Sequence, residues 1–455
     1  MIYFSKLRPK RFYNYIKIKI VVYLIIALVD NLNKDKFYDI ISPMNLNQKR
    51  FFFFTSLFVC VGLIAFLIVK LAQGYKPDFS TKTLLPTGLL VATSVPDGAQ
   101  LWVDGKLKSA TNTTINLAPD VYEVEIKKDG FFPWKKTLTL KKELVTKTDA
   151  YLFAAYPDLK VLTFTGAANP LLSPDGQKVA FSVATASASK RGIWVLDLTD
   201  RPWGFNREPR QILETPPQAG RDFSQADYEW SPDSKQILIN LPVRSSTPRS
   251  LRLEEQAGLG REVFLADASK LNPATNLIDI SQNVIITKKR WENEKEIKEE
   301  AKLSKLPEPL LEILQDATKN IQFSPDETKI LYTATASAAI PEKIIPPLAA
   351  ASTQPESRDL EAGKIYIYDL KEDKNFLIPV SDKNQISWFP TSKHIFVVQN
   401  DKISIVEYDA TNWTNVYTGP FENSFAFPFP SETKILILTS IGKDTPLNLY
   451  AITLR

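Results

Sequence analysis

Two residue types that build many reactive sites are nearly missing from these 455 residues: there is one cysteine and one histidine. A disulfide framework and a His/Cys zinc cluster are therefore excluded. A Cys–His nucleophilic pair is not supported either. Cys60 lies inside an apolar run, where the expectation is membrane-buried packing, and His394 has no nucleophile in its neighbourhood to activate. Nucleophile elbow, P-loop, dinucleotide fingerprint and zinc motif are all lacking. The expectation is no enzyme, no cofactor and no metal.

A basic body is lacking too, despite the net charge of +5. Residues 1–50 hold ten Lys/Arg against three Asp/Glu, and the remaining 405 hold 46 against 48. Positive charge crowded before an apolar segment is a topology signal, and a body without a basic stripe argues against nucleic acid. With 44% hydrophobic and 24% charged residues the chain is folded rather than disordered. At about 150 residues per domain its length allows roughly three structural units.

What is present begins with Phe51–Val69, nineteen residues without a charge, preceded by Lys49 and Arg50 and followed by Lys70. As a helix this run is about 28 Å long, close to the hydrocarbon thickness of a bilayer. The sequence predicts an uncleaved transmembrane signal anchor over 51–70, a single span with residues 1–50 cytoplasmic and the bulk extracytoplasmic at the cell membrane. The apolar stretch Ile20–Val29 is too short to span. Met44 opens MNLNQKRFFFF, a natural start for such an anchor, so residues 1–43 read as an upstream extension. A polar linker follows over 71–86.

From residue 87 the pattern changes to period-two alternation, the mark of half-buried strands. Leu89–Thr93, Leu101–Val103, Val121–Lys127 and Trp134–Leu140 are strand candidates, punctuated by Asp97-Gly98, Asp104-Gly105 and Asp129-Gly130. Asp-Gly pairs suit tight hairpins because glycine reaches positive φ without a Cβ clash. The order of these pieces resembles the PEGA domain family. Its four-residue turn reads here Pro96-Asp97-Gly98-Ala99, with Asp for Glu, and its second turn is Val103-Asp104-Gly105-Lys106. Asp120 stands where that family usually places Gly. The resemblance covers 87–155 and implies a small extracytoplasmic β-sandwich used for binding or spacing.

After residue 156 the chain repeats. Three copies carry Ser173-Pro174-Asp175-Gly176, Ser231-Pro232-Asp233 and Ser324-Pro325-Asp326 between two β-rich runs. Two looser copies carry Phe389-Pro390-Thr391 and Phe429-Pro430-Ser431. Third strands follow at Gly192–Leu198, Glu262–Asp267, Lys364–Leu370 and Ile403–Asp409, and short fourth strands at 210–213, 277–280, 375–379 and 414–418. Four strands per unit make a propeller blade. The repeat resembles the TolB-type, WD-like β-propeller, here of about five blades over 156–455. The last copy runs out after three strands, so Leu159–Thr165 is expected to complete it and remove an open edge.

Gaps of 58, 93, 65 and 40 residues between turn prolines measure insertions. The longest holds 288–319, a charged helical pair that is a candidate partner-binding element. The next holds 334–363, an Ala/Pro/Ser-rich insert expected to be disordered.

The repeated aspartates invite a catalytic reading, but a Ser-Pro-Asp turn uses its carboxylate on local backbone, so all these motif residues are expected to be structural. His394 is expected half exposed on a strand. Trp102, Trp134, Trp194, Trp230 and Trp388 stand at strand positions that favour core packing. The functional expectation is a membrane-anchored binding or scaffold protein of the cell envelope, its propeller presenting loops to a protein or polysaccharide partner. The alternative is a propeller hydrolase or lyase with carboxylates in the central funnel.

Overall fold

The structure, a computed structural model, describes residues 46–72, 75–78, 83–184, 187–200, 208–216, 221–241, 262–346, 348, 351–422, 424–442 and 445–455. The expected upstream extension and the Ile20–Val29 stretch lie outside them. The chain forms two units, Met1–Leu85 and Pro86–Arg455.

In the first unit, helix α1 runs from Leu46 to Ala72 and contains the whole uncharged run. Phe58 and Leu63 on it are 80% and 64% exposed, and Cys60 is exposed as well. Among the described residues no helix is long and apolar enough to cross a membrane, which leaves the expected span without structural support. The linker is not featureless: Lys76–Asp78 pairs antiparallel with Thr83–Leu85.

The second unit is mostly β. Its N-terminal part is a sandwich of two sheets. One places Gly88–Val95 between Thr113–Leu117 and Val145–Tyr151, the latter parallel to it. The other runs Lys106–Ala110, Gln100–Val103, Val121–Lys127, Trp134–Thr139. Alternate residues of Gly88–Val95 are buried, and Leu90 and Ala92 meet Leu101, Val124 and Ile126 in one core. Asp104 and Gly105 take φ of 47° and 70°, the pair of left-handed residues that a two-residue hairpin loop requires.

Among the described residues, five four-stranded antiparallel sheets follow. Blade 1 is Ala168–Leu172, Lys178–Val183, Gly192–Asp197 and Arg210–Glu214. Blade 2 is Asp227–Trp230, Gln236–Asn240, Val263–Asp267 and Ile278–Asp279. Blade 3 is Thr318–Phe323, Lys329–Ala334, Ile365–Asp369 and Lys374–Ile378. Blade 4 is Gln385–Trp388, His394–Val398, Lys402–Glu407 and Thr414–Thr418. Blade 5 combines Ala426–Pro428, Lys434–Thr439 and Asn448–Thr453 with Leu159–Val161, which pairs with the last of them. First and last strands of the ring thus share a sheet, satisfying backbone groups that an open edge would expose.

Apolar residues of successive blades interdigitate. Ile193 and Ile212 pack with Phe264, Leu331 and Ile367 with Ile395, Phe396 and Ile405 with Ile437, and Leu436 with Val179. Between blades 2 and 3 a helical hairpin enters. Helix α2 (Val284–Leu303) packs Trp291 on Leu238 and Val263 of blade 2, while helix α3 (Glu308–Ala317) packs Leu310 and Leu314 on Ile330 and Tyr332 of blade 3. The apolar stripe of this insert is therefore spent inside the fold, whereas Ile285, Ile286 and Ile297 stay exposed.

The insert 334–363, expected to be disordered, is ordered over its described residues. Ala338–Ala339 pairs with Asp359–Leu360, and Ile340 and Leu360 are buried in the blade 3 core. Arg358 bridges Pro341 O and the Asp373 carboxylate. Composition hid this order because a few large apolar residues of the segment, Ile340 and Leu360, are enough once blade 3 supplies the core they enter.

Candidate functional site

The five turns between first and second blade strands share one backbone. In each, the backbone N–H of the residue before Pro donates to the carbonyl of the residue five positions on, at 2.8–2.9 Å: Ser173 to Lys178, Ser231 to Gln236, Ser324 to Lys329, Phe389 to His394 and Phe429 to Lys434. The residue three after the first is left-handed in all five: Gly176, Ser234, Glu327, Ser392 and Glu432.

In blades 1 to 3 the serine hydroxyl donates to the aspartate at 2.5, 2.6 and 2.7 Å and accepts from the backbone N–H five residues on. Each aspartate accepts a further backbone N–H, that of Gln177, Lys235 or Thr328. The hydroxyl of Ser231 beside Asp233 holds that carboxyl below its ordinary range. These carboxylates are occupied within their own turns, and they do not converge into a reactive set. Pro96, Asp97, Gly98 and Ala99 likewise form a turn of the sandwich, with Gly98 left-handed and Ala99 buried in its core.

Neighbouring blades are stitched by the same residues. Trp230 Nε1 donates to Leu171 O and Trp388 Nε1 to Gln322 O, both at 3.0 Å. The hydroxyls of Ser234 and Ser392 accept from the N–H of Asp175 and Asp326 in the preceding blade. At the blade 2–3 seam the corresponding residue is Glu327, which instead pairs with Lys302 of α2 and Lys305 just beyond it.

The sandwich sits against blades 4 and 5, and here the turns change chemistry. Phe389 replaces the turn serine and its ring meets Phe153 edge-on at 6.0 Å, with Tyr151 at 6.2 Å. His394 is 3% exposed rather than half exposed, enclosed by Phe389, Phe153 and Tyr151, because sandwich residues cover a strand that looks half open in sequence. Burial pushes its pKa down to about 4, only partly opposed by Glu407, so the ring is neutral at pH 7. Its Nδ1 is 2.8 Å from the Thr391 hydroxyl.

His394 stands opposite Glu407 in strand register. The equivalent pairs are Lys178–Asp197 in blade 1 and Lys329–Asp369 in blade 3, the latter an ion pair of 3.2 Å. With a neutral imidazole in the cation's place, Glu407 draws its partner from the sandwich. Lys136 Nζ lies 2.6 Å from both Glu407 and Asp409, with side-chain exposures of 11%, 9% and 0%. Trp134 Nε1 donates to the same Glu407, as does Asn412 Nδ2 at 3.1 Å, while Lys135 N donates to Asn412 Oδ1 at 2.8 Å. Burial alone would discharge Lys136, but the two carboxylates more than reverse this and hold its pKa above the ordinary value. Burial would raise Glu407, yet Lys136 and the hydrogen bonds hold it below the usual carboxylate range. A buried charge is tolerable when paired and hydrogen-bonded in this way.

Further contacts widen the seat. Ala154 N donates to Leu454 O, Tyr151 Oη to Glu432 O, and Gln354 of the ordered insert to Thr137 O. An open cleft of about 350 Å³ remains between the two domains, bordered by Thr93, Lys147, Asp149 and Tyr151 of the sandwich and by Lys393 and Glu432 of the propeller.

Sequence reasoning singled out none of Lys136, Glu407 or Asp409. The signal that could have found them is the third-strand acid, present as Asp197, Asp267, Asp369 and Glu407, which faces a histidine only in blade 4. Of the five strand tryptophans named from the sequence, Trp134, Trp230 and Trp388 are buried, while Trp102 and Trp194 are half-buried.

No curated protein matches the chain. Solved structures similar to it include the Agrobacterium tumefaciens protein assigned as TolB (12% identity, 64% of this chain and 76% of that one, TM-score 0.19). TolB of Acinetobacter baumannii follows at 13% identity, 74% and 60% coverage and TM-score 0.21. Hydrazine synthase of Kuenenia stuttgartiensis matches at 12% identity, 81% and 96% coverage and TM-score 0.18. Scores this low carry neither fold nor function to this chain. Residues 87–153 match the PEGA domain family, so the sandwich seated on blades 4 and 5 is a PEGA domain.

Proposed function

We propose that this chain is a membrane-anchored, extracytoplasmic binding or scaffold protein of the cell envelope, not an enzyme. The observation that carries the reading is the buried Lys136–Glu407–Asp409 contact. It fixes a PEGA domain to a propeller as one body, which suits rigid display of a binding surface. Its charges are spent on one another, so it offers no free acid or base for chemistry. The repeated turn aspartates, bound within their own turns, give the hydrolase alternative no carboxylate pair. The anchor rests on the sequence itself: Phe51–Val69 is uncharged, long enough for a bilayer, and preceded by the chain's excess of Lys and Arg.

Topology tests this reading. With Cys60→Ser as background, Tyr156→Cys places a thiol at a position 89% exposed. Labelling of intact cells by an impermeant maleimide is the expected result. Labelling only after lysis would place the propeller inside and overturn the envelope assignment.

A further inference from the structure

We propose that the cleft between the PEGA domain and the propeller binds a neutral, hydroxyl-rich ligand, a glycan segment, held by both domains at once. The inference rests on the binding-protein reading above and gives it a site and a ligand class.

The argument starts from charge. Lys147 and Lys393, one from each domain, close on the single carboxylate of Asp149 at 3.0 and 2.8 Å. The Thr93 hydroxyl donates to the same carboxylate at 2.5 Å. With Glu432 on the opposite wall, two ammonium groups face two carboxylates. An anionic ligand would have to break an existing ion pair, and a cationic one would meet two ammonium groups. A ligand without charge displaces nothing. Each ammonium has three donors and each carboxylate several lone pairs, so hydrogen-bonding capacity of both kinds remains after the ion pairs form. Adjacent hydroxyls, each a donor and an acceptor, match such a mixed wall.

Shape agrees. The volume of about 350 Å³ falls within the range of small-molecule sites, and the cleft is open, so a polymer can run through it. The Tyr151 ring supplies an apolar wall, held in place by its hydroxyl on Glu432 O and by Arg455 stacked 4.7 Å from the ring centre. Because Lys147 and Asp149 belong to one domain and Lys393 to the other, the site exists only while the domains are docked.

The test is calorimetric titration of the full chain in detergent with chitohexaose and maltohexaose as neutral probes and polygalacturonate as an acidic one. Binding of a neutral probe is expected, weakened at least tenfold by Lys147→Ala with Lys393→Ala. Both side chains are about half exposed or more, at 61% and 49%, and an unchanged urea midpoint confirms that the fold survives. Asp149→Asn, which keeps the shape, should weaken binding as well. The proposal is overturned if neither neutral probe binds, if binding ignores these variants, or if polygalacturonate is preferred with steep salt dependence. A chain that labels from outside the cell yet binds no neutral glycan loses the cleft and keeps the envelope reading.

Discussion

Blades 1 to 3 and blades 4 and 5 close their first hairpins with one backbone and two chemistries. Serine stands before the proline in the first three, and phenylalanine in the last two. The i to i+3 hydrogen bond and the left-handed residue persist in all five, so proline and backbone geometry suffice to make the turn. The side chain before proline is then free for another task. In blades 1 to 3 it ties the turn internally. Phe389 turns instead toward the PEGA domain, and Phe429 packs with Leu162, Phe425 and Leu436 in the core shared by blades 5 and 1. What looks in sequence like decay of a repeat is, at blade 4, the imprint of a docked domain.

The comparison can be broken most severely at Lys136. Lys136→Met leaves Glu407 and Asp409 buried without a cation and should cost about 3–5 kcal/mol in urea unfolding, with the PEGA domain losing its contacts first. Phe389→Ser should cost about 3 kcal/mol through the cavity left against Phe153, although it restores the serine of the regular turns. A cost below about 1 kcal/mol would mean that the turn, not the docking, governs that position.

Acid provides a third test. The unfolded chain protonates His394 near its ordinary 6.5, whereas the folded chain refuses the proton until about pH 4. Stability therefore falls as pH drops through that window, by on the order of 3 kcal/mol, and Glu407, depressed in the fold, is lost in the same direction. His394→Gln should flatten the thermal unfolding profile between these limits. His394→Lys sharpens the comparison by recreating the Lys–acid pair of blade 3. Glu407 would then have a cation within its own blade, and cross-linking between Lys136 and Glu407 should fall while the Lys136–Asp409 pair and the propeller fold persist.

In the regular turns the effects are smaller. Ser231→Ala removes a buried hydroxyl that donates to Asp233 and accepts from Gln236 N, and should cost about 1–2 kcal/mol. Lys302→Ala, which breaks an exposed pair with Glu327, should leave the urea midpoint nearly unchanged.

Much of the fold was legible. Turn prolines marked the blades, and the unpaired Leu159–Val161 announced closure against Asn448–Thr453. Of the Asp-Gly pairs, Asp104-Gly105 closes a hairpin of the sandwich, whereas Asp97-Gly98 carries the chain from one sheet to the other. Legibility failed where order comes from a neighbour, as in the insert 334–363 and at His394, because local composition carries no record of what will cover a segment. The junction shows the same limit, since Lys136 and Glu407 are 271 residues apart.

By itself the sequence determined the β class, the uncharged run at 51–69, the PEGA-type turns and the repeat, all of which are periodic or local properties of the chain. Tertiary structure alone decided that the helical hairpin packs on blades 2 and 3, that the chain's one histidine is buried and neutral, and that the glutamate opposite it takes its cation from another domain. Those outcomes depend on desolvation and on charges brought together across long chain separations, and neither quantity exists until the chain has folded.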